Sequence, residues 1–350
     1  MRAASPISSN QQAALTAVLR ALPNESLLRI RRAGNCWEGT NRDTAATSPG
    51  SIAFRTASVT KTFTAALVLL LCEQGKLSMD DRLSAHLEPA LLERIHVLDG
   101  TSYGAQITLE QLLQHRSGLF DYATCAQFMA HVALDPLRSW TPLDLLDEAM
   151  QAGAPGFAPG QGMNYSDTGY VLLAMVIEKV TGLPLAQAYR ERLLEPLGLA
   201  STWLEGREQA RITKVSHAFA GSIDTAGFNP SFDTFGGGGL VSTAADLDRF
   251  ISGLLGGGVF RQIDTLLHMM QGTDAAPGSG TRKTRTAAGL SAFVVAEHLF
   301  WGHLGHWNSF MLYSMERDIS ICGTFNQSKD DLRHVRLLEA AATAALEGCS

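Results

Sequence analysis

Positive charge is scarce in this chain. Against 34 Asp and Glu stand 28 Lys and Arg, a formal net charge of −6, and the four charged types make up only 18% of its 350 residues. Nucleic acid and anionic lipid bind surfaces with a surplus of Lys and Arg on one face, so neither is expected as a partner. The one dense basic stretch, Arg282-Lys283-Thr284-Arg285, reads as a solvated loop. Long apolar runs are missing too: the longest, residues 65–72, is far short of the roughly 20 residues a membrane crossing needs. The first residues, Met1-Arg2-Ala3-Ala4-Ser5-Pro6, lead into Ser8-Ser9-Asn10-Gln11-Gln12 without the apolar core of a secretory signal, and the expectation is a cytoplasmic protein. Cysteine is sparse and scattered. Cys36, Cys72, Cys125, Cys322 and Cys349 are odd in number and include no closely spaced pair, which favours reduced thiols over a disulfide framework.

What is present is apolar residues in quantity. At 45% hydrophobic residues, the chain has enough to bury a sizeable core, and disorder is excluded as its main state. The length allows two or three compact units at about 100–200 residues each. An amphipathic stretch at residues 11–22 precedes residues 26–33, where Leu28 and Ile30 alternate with Arg29 and Arg31 as in a half-buried strand; Ala33-Gly34-Asn35 reads as a hairpin turn. Residues 51–56 look extended. The apolar run at 62–74 is long enough for a buried helix, stopped by Gly75.

Helical signals dominate residues 76–240: Thr108 and Gln111 form a capping box, Thr141-Pro142 is an N-cap followed by a first-turn proline, and residues 170–180 end at Gly182. After the glycine run 236–239 a helix is expected from Ser242, strands at 289–297, 309–315 and 319–325, and a last helix at 330–346. Strands at both ends with helices between imply a mixed α/β (α+β) unit from residues 1–75 and 241–350, carrying a mostly helical insertion at 76–240. There is no internal repeat.

Three segments carry candidate chemistry. Ser58-Val59-Thr60-Lys61 puts a serine three residues before a lysine at the opening of the buried helix, and residues i and i+3 share a helix face. A serine hydroxyl is a weak nucleophile until a nearby base takes its proton, and a lysine among Phe63, Ala65, Ala66 and Leu67 is placed to do so. Tyr165-Ser166-Asp167 follows the Gly- and Pro-rich loop 155–162 and precedes a helix starting near Thr168, so a loop-borne phenol stands between rigid elements as a proton shuttle. The simpler reading of that segment is a helix cap at Asp167 and a packed tyrosine. Trp301-Gly302-His303-Leu304-Gly305-His306-Trp307-Asn308 is expected between two strands, its small residues leaving room for a substrate along a strand edge.

Rival readings fall on spacing. His298, His303 and His306 suggest a metal, but His303 and His306 would face opposite sides of a regular strand, so no metal and no cofactor is expected. Gly100-Thr101-Ser102-Tyr103-Gly104 has the spacing of a nucleophile elbow, yet residues 105–107 intervene before the next helix. The segment 278–284 ends in Lys-Thr like a phosphate loop, with Arg282 where the second glycine must be.

Taken in order, Ser58-Val59-Thr60-Lys61, Tyr165-Ser166-Asp167 and His303-Leu304-Gly305 resemble the serine β-lactamase and penicillin-binding protein superfamily, closest to the class C-like branch with D-alanyl-D-alanine carboxypeptidases, D-aminopeptidases, D-amino acid amidases and esterases. Further phrases carry the likeness: Phe54-Arg55-Thr56-Ala57, Leu112-Leu113-Gln114-His115-Arg116-Ser117-Gly118-Leu119, Gly237-Gly238-Gly239-Leu240-Val241-Ser242-Thr243 and Gly289-Leu290. The resemblance implies a β-lactamase/transpeptidase-like fold, an antiparallel sheet flanked by helices plus a mostly helical domain, with the site in the cleft between them. It implies that Ser58 attacks a carbonyl, that Lys61 and Tyr165 share the proton work with either as base, and that backbone N–H groups of Ser58 and His306 form the oxyanion hole. His303 belongs to the catalytic set; Asp167, Gly305, His306, Trp307 and Asn308 contact substrate.

Two departures from the family's pattern bear on substrate. Asp167 stands where many members have asparagine, and an ionised carboxylate only accepts hydrogen bonds. His303 stands where class C β-lactamases have lysine, so recognition of a carboxylate beside the scissile bond is weakened and neutral substrates are favoured, unless the basic stretch 282–285 folds over the cleft. The expected activity is serine hydrolysis of a small amide, peptide or ester, a D-amino-acid amide or peptide first. An esterase, acyltransferase or β-lactamase of the same fold, or a catalytically silent scaffold or sensor, are the alternatives.

Overall fold

A computed structural model describes residues 6–32, 34–42, 48–274, 282–328 and 333–346. Ala33 of the expected turn, residues 330–332 of the expected last helix, residues 278–281 of the rejected phosphate loop, Met1 to Ser5 and Cys349 lie outside the described residues.

Eight antiparallel strands form the main sheet, which the chain enters from both ends. The hairpin Leu27–Arg32 and Asn35–Thr40 lies at one side, with Leu27–Arg32 paired to Ile319–Thr324. From there the sheet continues through Phe310–Ser314, His298–Leu304, Ser291–Val295 and Arg282–Ala287 to Gly272–Asp274. Phe310–Ser314 and Ile319–Thr324 are buried along their whole lengths. Such strands are covered on both faces. Alternate side chains go to opposite layers: Phe310, Leu312 and Ile321 pack with helices Ser9–Arg20 and Arg333–Leu346, whereas Met311, Tyr313 and Cys322 join the large core shared with the helical part of the chain.

That large core is built around helix Thr60–Glu73, buried on nearly every side from Thr60 to Leu71. A helix apolar all round belongs inside a protein, not on its surface. Phe63 stacks on Phe250 of helix Ala244–Leu255, ring centroids 3.7 Å apart, and helix Asp167–Thr181 packs against the same element within the core. Phe54–Arg55, Leu240–Ser242 and Trp203–Leu204 make a small sheet.

Several expectations need correction. Of residues 51–56, Ile52 to Arg55 are extended as expected, Ala53 bridging Val215 and Phe54–Arg55 pairing as a strand, whereas Ser51 closes the helical turn Pro49–Ser51. The helix expected from Ser242 begins at Ala244 with Thr243 as its cap, because Ser242 completes the strand paired with Phe54. The basic stretch is no loop. Arg282–Ala287 is a strand, and Arg285 pairs with Asp274 on the neighbouring edge strand. Charged side chains on strands near a sheet edge discourage pairing with other chains, and such a strand lacks the apolar alternation that identifies one from sequence. The third segment does not lie between strands either: Trp301 to Leu304 belong to strand His298–Leu304, and the turn begins only at Gly305.

One carboxylate ties helix to sheet. Asp248, 3% exposed on Ala244–Leu255, accepts from Arg29 and Arg31 at 2.9 Å each and from the Ser320 hydroxyl at 2.5 Å. Burial alone would raise its pKa, but the bonds from Ser320, Arg29 and Arg31 outweigh it and hold the carboxyl below its usual value. Removing one member of such a buried charge group costs about 3–5 kcal/mol. Asp248→Ala is therefore expected to lower unfolding stability at pH 7 by about that amount in denaturant titration. Because the folded pKa is depressed, this contribution is complete above the unfolded value near ~3.9 and disappears as pH falls through the folded one. The difference between wild type and variant should thus shrink as pH falls below the unfolded value of about 3.9.

Candidate active site

Ser58 lies in the turn Ala57–Val59 that leads into helix Thr60–Glu73. Its preceding residue, Ala57, has φ +45°, an uncommon conformation for a residue with a Cβ. Contacts on both sides hold this strained entry. Thr56 donates from its N–H and hydroxyl to the Leu240 carbonyl, at 2.9 and 2.8 Å, while the Ser309 hydroxyl donates to the Thr56 carbonyl at 2.7 Å. Gly305 makes that approach of sheet to helix possible, since a Cβ there would stand 2.4 Å from the Thr56 carbonyl and 2.1 Å from Ser309 Oγ.

Lys61, one turn further on, is fully buried. Its Nζ faces three oxygens: Ser58 Oγ at 3.0 Å, Asp167 Oδ1 at 2.5 Å and the Gly237 carbonyl at 2.8 Å. Three acceptors match the three N–H bonds of an ammonium. Gly237 has no side chain for a packing reason: a Cβ would stand 2.5 Å from Asp167 Oδ1 and 3.5 Å from Lys61 Nζ. Asp167 opens helix Asp167–Thr181, whose cap is Ser166 rather than Asp167. The carboxylate is thus released from capping and forms an ion pair with Lys61.

Tyr165 lies between these groups and the sheet. Lys61 Nζ is 4.9 Å from its ring centroid, and the His303 ring is 6.3 Å away. Burial first, and then the negative charge of Asp167, push the phenol well above its ordinary pKa, with a hydrogen bond to Ser58 acting in the opposite sense. Tyr165 is accordingly a neutral phenol at pH 7, able to donate a proton. Two more carboxyls add to the field. Asp121, which accepts the Asp167 N–H at 3.0 Å, and Asp233 are both raised to about 7, by burial and then by Asp167.

Ser58, Tyr165, Asp167, His303, His306 and Trp307 line one cavity of about 740 Å³. Lys61 lies behind its wall and Gly305 holds the wall in place. Asn308 is not at the cavity: its amide donates to the Gln327 carbonyl at 3.0 Å, and its φ of +52° forms the turn. His303 Nδ1 donates to the Leu304 carbonyl at 2.8 Å. His303 and His306 do not face opposite sides of one strand, since the chain leaves the strand at Gly305 and both residues line the cavity. Among the described residues no group of three His, Cys, Asp or Glu could hold a metal ion. Ser102 of the alternative elbow is exposed and lies in a separate two-stranded hairpin.

The basic stretch does reach the cleft, as the sequence allowed: Lys283 lines the cavity, its Nζ 6.0 Å from the Tyr165 ring. The strand that carries it has an irregular register between Lys283 and Arg285, and a bulge re-aims side chains. Asp121 and Asp233 come from loops 46 residues before and 66 residues after Asp167, separations at which no spacing rule operates. The helix Ala126–Leu134 supplies an apolar wall through Phe128, Met129 and Val132, opposite Phe228, Phe232 and Phe293.

Comparison with known proteins fits this geometry. A D-stereospecific amidohydrolase from Streptomyces sp. superposes with a TM-score of 0.81 at 29% identity, over 95% of this chain and 98% of that one. D-amino acid amidase from Ochrobactrum anthropi SV3 shares the fold at the same TM-score, 24% identical over 98% and 100%. Among curated proteins, Penicillin-binding protein 4* of Bacillus subtilis is 35% identical over 44% of this chain and 31% of its own length, and Esterase EstB of Burkholderia gladioli is 34% identical over 47% and 41%. The chain therefore spans less than half the length of these curated relatives. Residues 37–345, from the second strand of the first hairpin to the last helix, match the family described as Beta-lactamase, and the chain belongs to that family.

Proposed function

We propose that this protein is a serine hydrolase that cleaves a small amide, peptide or ester through an acyl-enzyme on Ser58, with D-amino-acid amides or peptides the first substrate class. The observation that carries the reading is the contact of Lys61 Nζ with Ser58 Oγ at 3.0 Å at the edge of a cavity that also holds Tyr165. Lys61 passes one ammonium proton to Asp167, 2.5 Å away, and its freed lone pair takes the Ser58 proton. Oγ then bonds to the carbonyl carbon, and the carbonyl oxygen gains the negative charge, held by the N–H groups of Ser58 and His306. As the intermediate collapses, the leaving amine or alkoxide takes the Tyr165 proton, and Lys61 returns the serine proton to the phenolate. Water releases the acyl group by the same steps in reverse.

The wide apolar wall suits a bulky hydrophobic acyl group. The names of the Streptomyces amidohydrolase and of Esterase EstB support the amide and ester classes respectively. Neutral substrates are not the only ones favoured, since Lys283 brings a cation to the cavity although the third motif has histidine. Lys283 compensates for His303 when the substrate carries a carboxylate.

Three outcomes test this reading. Ser58→Ala should lose at least about a thousandfold in kcat on a p-nitrophenyl ester and lose fluorophosphonate labelling, with an unchanged melting temperature; near-normal turnover would remove Ser58 from the mechanism. Lys61→Ala and Tyr165→Phe should each slow acylation by about a hundredfold or more. Their combination should be little worse than either alone, because they act as one relay; multiplied losses would separate them. Finally, Lys283→Gln should lower kcat/KM about tenfold for a D-aminoacyl dipeptide with a free carboxylate, the scale of a hydrogen bond to a charged group, while a D-aminoacyl amide stays within about twofold. An equal fall for both substrates would make Lys283 a structural residue only.

A further inference from the structure

The phrase at residues 112–119 supports the family resemblance but has no chemical role in the scheme above. His115 lies in its middle, 2% exposed, with φ +58°. A non-glycine residue keeps such a backbone only where its surroundings hold it there. Three contacts from this one residue go to three consecutive residues of another loop. The His115 carbonyl accepts the Asn164 N–H at 2.9 Å, its Nδ1 accepts the Ser166 N–H at 3.1 Å, and its ring stacks on Tyr165 between them, centroids 4.3 Å apart and planes 28° from parallel. Behind it the ring meets Tyr170 at 5.3 Å, and the Tyr170 hydroxyl donates to the Leu113 carbonyl at 3.0 Å. A buried histidine serving only the core would satisfy its polar atoms wherever acceptors lay. Here the two polar contacts hold the residues on either side of the phenol, and the ring face meets the phenol itself.

We propose that His115 is the positioning residue for Tyr165, fixing the loop on either side of it and one face of its ring so that the phenol stays on Ser58. The inference rests on the reading that Tyr165 moves a proton in acyl transfer. An Nδ1 that accepts from Ser166 requires a neutral imidazole with its proton on Nε2. The surroundings agree: burial, and then the positive charges of Lys61, Lys283 and His303, hold His115 well below the ordinary histidine value. On this account the left-handed backbone at His115 is what lets one residue offer both its carbonyl and its ring to the same loop.

The test is a double-mutant cycle on an activated p-nitrophenyl ester, with melting temperature as the folding control. His115→Asn keeps an acceptor on Cγ where Nδ1 stood and tolerates φ above zero, whereas His115→Ala removes both acceptor and ring. In a Tyr165-containing background, His115→Ala should lower kcat by about tenfold or more, part of the hundredfold or greater effect of a positioned acid or base, with KM within about threefold. His115→Asn should recover most of the loss. In a Tyr165→Phe background both substitutions should change kcat by less than about twofold, since there is no phenol left to position. Losses that multiply across the two backgrounds, or alanine and asparagine variants as active as wild type, would overturn the role of His115 while leaving Tyr165 in the mechanism. A fully active Tyr165→Phe protein would overturn both. Should His115→Ala fail to fold, the cycle with His115→Asn decides, its smaller loss in kcat again vanishing in the Tyr165→Phe background.

Discussion

The site depends on a lysine amine taken wholly out of water. A buried ammonium is tolerable only when hydrogen-bonded and paired, and the chain satisfies Lys61 with one oxygen from each of three distant places: the serine a turn before it, the carboxylate of Asp167 and the carbonyl of Gly237. Those requirements constrain much else. Helix Asp167–Thr181 must begin beside helix Thr60–Glu73, the cap of that helix falls to Ser166, and residue 237 can carry no side chain. The same contacts that satisfy the amine bring it to Ser58, so stabilising the charge and preparing the nucleophile are one arrangement.

The sheet's part is to bring a second wall up to the serine. Strand His298–Leu304 ends at Gly305, and the absence of a side chain there lets the turn close on Thr56 and Ala57. His303, His306 and Trp307 then face Tyr165 across the cavity. Asp167 and Asp233 line the cavity from the helical side and Lys283 from the sheet side, so carboxyls reach it from one wall and an ammonium from the other. That polarity is a property of the assembled site and of no single segment.

How far this is legible in sequence follows from the range of each interaction. Helix Thr60–Glu73 is legible because of its long apolar run and the glycine that follows at 75; the contact of Ser58 with Lys61 is legible because it spans only three residues. The helix starts at 109 and 142 carry their capping signals locally, at Thr108 and Thr141. Asp167 is readable as a departure from the family's asparagine, but its partner is not, since the ion pair with Lys61 spans 106 residues. The strand Arg282–Ala287 escapes because its Arg-Lys-Thr-Arg opening has no apolar alternation, although the same stretch is readable as a source of positive charge at the cleft, which Lys283 supplies. Asn308 shows the limit of reading by adjacency to a motif: it does not line the cavity, and its left-handed backbone and its bond to Gln327 place it in the turn beside it.

The central claim is a covalent bond to Ser58 during turnover. Rapid quenching of the protein in acid during hydrolysis of a slowly deacylated ester, followed by intact-mass measurement and peptide mapping, tests it directly. The account predicts a transient mass increase equal to the acyl group alone, located on the peptide that contains Ser58 and lost as substrate is exhausted. Turnover with no adduct at any time, or an adduct on another residue such as Ser102, would contradict it.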